Sequence, residues 1–153
     1  MFLTPGWHPI VVHFPLALIV TAAVALSLAR WVPGNRMSAT LASVGTFNLC
    51  VGAAMLFLAL GTGLAASIGL EIAADAHRAI ASHVKAAVLT TILTLLAAVL
   101  RGAGAAADSR PTPALLVIVW LATAATTVTG YRGGQNVYRY GIGVDVATPR
   151  GAP

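Results

Sequence analysis

The sequence predicts an all-α integral membrane protein, a four-helix bundle whose helices run antiparallel, up-down-up-down. Three observations carry this. Of the 153 residues, 58% are hydrophobic and only 8% are Asp, Glu, Lys or Arg, against about 25% charged residues in soluble domains. Four apolar runs each approach the ~20 residues a helix needs to cross a bilayer. The links after the first and third runs are short, so the helices they join must turn back on one another.

The first span covers residues 10–31 and closes on Arg30 and Pro33-Gly34. It opens with "GWHPIVVHFPLALIV", which sets two histidines and two prolines at the start of an apolar run. Pro9 suits the first helical position, where its missing N–H costs nothing. Pro15 falls in the second turn and predicts a local bend or a freed carbonyl. The second span covers 38–60, with Ser38 as N-cap and Gly61-Thr62-Gly63 as the stop. A longer link, 61–76, carries Glu71 and Asp75 and suits an interfacial turn of helix. The third span covers 77–100, between Asp75 and Arg101, and the fourth covers 113–130, with Pro113 as a favourable first helical residue.

Residues 131–153 form a polar, glycine-rich tail that holds all three tyrosines. Its composition predicts an ordered cap folded back over the outer ends of the spans, with tyrosines at headgroup level. Nothing divides the chain, so 1–153 reads as a single membrane domain.

Small residues mark the faces that touch. Ala42, Gly45, Gly52 and Ala59 line span two beside the mid-membrane Asn48, and Thr123, Thr126, Thr127 and Gly130 line span four. Close backbone approach and interhelical hydrogen bonds hold membrane bundles together, so both stripes read as packing seams.

The formal charge is +5. The basic residues lie at the ends of apolar runs rather than in a patch, which argues for a lipid bilayer and against nucleic acid. None precedes span one, whereas Arg30, Arg36, Arg101 and Arg110 fall in loops one and three. That bias puts those loops in the cytoplasm and both termini outside, with Arg132, Arg139 and Arg150 of the tail pulling the other way. The first apolar run is a full span without a basic leader, so it reads as retained rather than cleaved. Cys50, the single cysteine, excludes an intrachain disulfide and reads as a buried, inert thiol.

All four histidines stand at the starts of spans one and three, which alternation brings to one side of the membrane. His8 and His77 fall at the water boundary. His13 and His83 lie roughly 6 and 10 Å deeper at ~1.5 Å rise per residue. His83 heads the small, polar face of Ala86, Ala87, Thr90, Thr91, Thr94 and Ala98, which turns it inward. Lys85, about 200° away around the helix, snorkels outward. These positions predict that His13 and His83 face each other inside the bundle. Neutral imidazoles so placed suit a b-type haem, or a copper or zinc ion that also draws on His8 or His77. The alternative is a cofactor-free accessory subunit in which the histidines pack and hydrogen-bond. No G-x-S-x-G, P-loop or paired carboxylates accompany them, so an electron-transfer or accessory role is favoured over an enzyme.

"HPIVVHFPLAL" opening span one, "HR" at the start of span three and "GGQNVYRYGIGV" after span four together resemble a bacterial family of predicted four-helix membrane proteins, domain of unknown function 2231. The resemblance covers nearly the whole chain. The opening motif falls on His8, Pro9, His13, Phe14 and Pro15, and the closing motif on Gly133, Gly134, Tyr138, Gly141 and Gly143. Some relatives carry a histidine just before the double glycine, where this sequence reads Tyr131-Arg132. The resemblance implies a bacterial membrane protein, and the basic residues put its termini on the periplasmic side of the inner membrane. Relatives fused to, or encoded beside, cytochrome c-type domains imply a redox setting with such partners.

Overall fold

The computed structural model describes residues 7–68, 74–104 and 109–143. They form four helices: α1 (Trp7–Trp31), α2 (Asn35–Ser67), α3 (Ala74–Gly104) and α4 (Pro113–Tyr138). All four are long and apolar enough to cross a membrane. α1 packs on α2, α2 on α3, α3 on α4, and α4 back on α1, which closes a four-sided antiparallel bundle. The apolar side chains outside the packing seams stay exposed on the bundle's outer surface, as expected where the solvent is lipid.

The seams follow the small residues. Along α2, Ser38, Ala42, Gly45, Leu49, Gly52, Leu56 and Ala59 are buried, a three-and-four spacing that keeps one stripe facing its neighbours. A Cβ on Gly45 would lie 2.7 Å from Leu26 Cγ of α1, so only glycine permits the approach there. Leu26 joins Ala22, Ala23, Leu49, Ala97, Leu115 and Val119 in the largest core cluster. Asn48 Nδ2 donates to Thr21 Oγ1 at 3.0 Å, tying α2 to α1. Most buried threonines bond their own backbone four residues back, as Thr94 and Thr126 do, which satisfies the hydroxyl within the helix.

The helix ends depart from the sequence expectations in three places. α2 starts at Asn35, not Ser38: Gly34, at φ +95°, makes the turn, and the Ser38 hydroxyl donates instead to the Ala29 carbonyl at 2.7 Å. α2 also runs through Gly61-Thr62-Gly63 to Ser67, and α4 runs through Gly130 and Gly133-Gly134 to Tyr138. The start of the tail therefore continues α4 as helix rather than folding back. It ends where Gly141, at φ +63°, takes the left-handed position and donates to Val137 O at 3.0 Å. Residues 144–153 of the tail lie outside the described residues. The start of α4 is as expected, with Pro113 in the first turn and Thr112 accepting from Leu115 N–H.

A second correction concerns Cys50. It is exposed on α2, facing outward from the bundle rather than buried. Lys85 is exposed, as its helical position requires.

Candidate functional site at the histidine end

At one end of the bundle the first turns of α1 and α3 meet the last turns of α2 and α4. His8 is half-buried there, with its Nδ1 3.2 Å from Thr62 Oγ1 on α2. Thr62 has one proton and spends it on its own helix, at Leu58 O and Ala59 O, 2.9 and 3.1 Å away. The threonine oxygen is then an acceptor, and His8 Nδ1–H the donor. His83, also half-buried, holds its Nδ1 3.1 Å from the carbonyl of Thr129 on α4. A carbonyl can only accept, so His83 donates through Nδ1 as well. His83 is therefore in the tautomer that keeps the proton on Nδ1 and leaves Nε2 unprotonated, and His8 shares it when the Thr62 proton stays on its own helix.

Each ring rests on a glycine. A Cβ on Gly63 would lie 3.0 Å from His8 Cε1, and one on Gly133 would lie 3.2 Å from His83 Cε1. Gly63, which read as part of a helix stop, and Gly133, which fell in the tail, are thus the seats of the two half-buried imidazoles. Any larger residue would push the ring away. The long α2 and α4 exist because the chain packs there: helix propensity disfavours glycine by roughly 1 kcal/mol relative to alanine, and the contact with an imidazole offsets it.

His8 on α1 and His83 on α3 both stand at this end of the bundle. Arg132 adds a positive charge beside His83 and donates through Nη1 to Ser82 O at 2.8 Å, fastening α4 to the first turns of α3. Thr129 Oγ1 pairs with Thr90 Oγ1 at 2.9 Å one layer deeper. Asn136, on the same face of α4 as Arg132 and Gly133, is buried, and its Oδ1 has no hydrogen-bond partner among the described residues.

The expected pairing of His13 with His83 is corrected by this geometry. His13 is exposed and its Nδ1 meets the Pro9 carbonyl of its own helix. Five residues after the inward His8 it lies about 140° around α1, which turns it off the bundle axis. The residue that shares the interior with His83 is His8, which was expected at the water boundary. The wall that buries it is the stretch of α2 past Leu60. His83 is inward, as its small and polar face predicts, and Thr90, Thr91 and Thr94 below it are buried. His77 is exposed. Thr62, Thr129 and the glycine seats were not singled out from the sequence. Their signal is a glycine at the end of each long apolar run, opposite a histidine-bearing helix start.

No three His, Cys, Asp or Glu side chains cluster as metal ligands among the described residues. The donor set is two imidazole Nε2 atoms in apolar and threonine surroundings. It falls short of the three or four protein ligands that a structural or catalytic metal ion takes.

Fold and site together define a multi-pass membrane protein of four helices with a buried polar layer at one end. The family model of predicted membrane proteins, domain of unknown function 2231, matches residues 5–146, and the chain belongs to that family. No curated protein and no solved structure matches it.

Proposed function

We propose that this protein is a small electron-transfer or redox-accessory subunit of the bacterial cytoplasmic membrane, and that His8 and His83 hold a b-type haem. The observation that supports the reading is a shared hydrogen-bond pattern: two half-buried imidazoles, each held through Nδ1 by a neighbouring helix, with no partner to Nε2 among the described residues. Thr62 and the Thr129 carbonyl orient the rings and increase their basicity, as outer partners of metal-bound histidines do. Bound haem supplies one-electron chemistry at its iron. Arg132 contributes a fixed positive charge beside the layer. Copper or zinc ranks second, because only two imidazoles converge.

A cofactor-free accessory subunit is the competing reading. The glycine seats favour it, since they pack the rings without any ligand. The basic residues of loops one and three support cytoplasmic loops, periplasmic termini and a periplasmic histidine end. A cytochrome c-type domain or another redox membrane subunit would then be met at that end.

The test is a reduced-minus-oxidised visible spectrum and metal content of protein purified from haem-replete cells. Haem b bands lost in His8→Ala and in His83→Ala, and kept in His13→Ala, are the expected result. Wild-type protein without haem or metal returns the histidines to packing. Reporter fusions at Asn35 and at the C-terminus check sidedness, with cytoplasmic and periplasmic signals expected respectively.

A further inference from the structure

The opposite end of the bundle has a feature that the histidine reading does not use. Between α1 and α4 a groove of about 430 Å³ runs along the outer surface, lined by Ser27, Trp31, Leu116, Val117, Trp120 and Leu121. Trp120 Nε1 donates to Ser27 Oγ at 3.0 Å, which ties the two walls together. The lining is mostly apolar and aromatic, and the groove opens outward, where a membrane presents acyl chains. Its volume falls within the ~300–1,000 Å³ of small-molecule sites.

Arg30 is not in the lining but stands beside it, against Trp31 at the loop end of the groove. It follows Ser27 by three residues on the same face of α1, and its guanidinium lies 5.6 Å from the Trp31 ring centroid. Its Nε is buried without a hydrogen-bond partner, and the residue forms no ion pair among the described residues. The buried Nε is out of reach of lipid, so an anion would meet the guanidinium at its terminal nitrogens, and a guanidinium charge at a membrane boundary is costly without a counter-charge. Arg101, at the same end, shows the contrast: it is 3% exposed and donates to Thr46 Oγ1, Ser109 Oγ and Ser109 O. Arg36, in the first turn of α2, and Arg110, in the link before α4, add to the positive field.

We infer that the α1–α4 groove is a binding site for one anionic phospholipid, with an acyl chain against Trp31 and Trp120 and the phosphate on Arg30. Charge complementarity selects this occupant: a zwitterionic lipid would fill the groove equally well but would give the guanidinium a weaker counter-charge. Basic pockets between spans bind anionic headgroups by the same physics. The guanidinium's planar donors suit phosphate oxygens.

Brominated lipids test this by quenching tryptophan fluorescence. In a Trp7→Phe background the two remaining tryptophans both line the groove. The protein is reconstituted in bilayers of phosphatidylcholine with brominated phosphatidylglycerol or brominated phosphatidylcholine as quencher. The expected result is an association constant about fivefold higher for the anionic lipid, the preference that one basic contact provides. Arg30→Gln should bring the ratio close to one, and Arg30→Lys should keep most of it. Val117→Phe fills the groove at an exposed position without touching any charge. It should also remove the preference, and it serves if Arg30→Gln does not fold. Equal quenching by the two lipids in the parent protein overturns the site. So does a preference that survives both Arg30→Gln and Val117→Phe, because the anionic lipid is then held by the general field of the loops.

Discussion

The two ends of this bundle bury nitrogen-bearing side chains in opposite ways. At the arginine end, Arg101 is buried and donates to α2 through Thr46 and to the α3–α4 loop through Ser109. A buried charge so bonded is costly to disturb, and it fastens three segments. At the histidine end each imidazole commits one nitrogen to a neighbouring helix and keeps the other. The first arrangement spends its donors on holding the structure. The second holds the ring and leaves a lone pair over, which is what ligand chemistry needs.

If that contrast is right, truncation should hurt more at the arginine end. Arg101→Ala is expected to destabilise the protein by about 2–4 kcal/mol, from lost charged hydrogen bonds and the space left behind. Arg101→Met should recover part of this by refilling the volume. Unfolding from mild detergent into SDS, followed by circular dichroism, gives the comparison. His83→Ala, which loses one hydrogen bond and one ring contact, is expected to cost only about 1–2 kcal/mol. The contrast fails if the order of these two variants is reversed.

The glycine seats sharpen the histidine side. Gly133→Val should cost about 1–3 kcal/mol, because the branched side chain meets the His83 ring and the surrounding helices fix its position. Gly133→Ala and Gly63→Ala should fall within about 1 kcal/mol of the parent, since helix propensity gained offsets the displaced imidazole. Under the haem reading the alanine variants should still shift the visible spectrum. A stabilising Gly133→Val would mean that the ring does not rest there.

The smallest expected effect lies on the outer surface. Cys50→Ser should change stability by no more than about 0.5 kcal/mol, because the side chain packs against no other helix. In reconstituted protein Cys50 should resist a membrane-impermeant maleimide, because it faces outward near the middle of α2 and its thiol does not ionise in hydrocarbon. Modification by the impermeant reagent would mean that this face of α2 meets water.

Four spans, their antiparallel order and the faces they bury were legible in the sequence. Run length, charge content and the spacing of Ala42, Gly45, Gly52 and Ala59 are local properties that the bilayer enforces, because unpaired backbone in hydrocarbon is too costly for another solution. His83 was likewise readable as inward from the small, polar stripe that follows it on the same face of α3. The partner of His83 was not. His8 and His13 both stand at the start of α1, and their depth alone favoured His13. Only the packing of α1 on α2 decides which of the two points inward. The same packing decides how far α2 and α4 extend. Gly63 reads as a stop and Gly133 as part of the tail when only the cost of glycine in a helix is counted. They are helical because an imidazole from another helix occupies the space a side chain would have taken, and no local rule contains that contact.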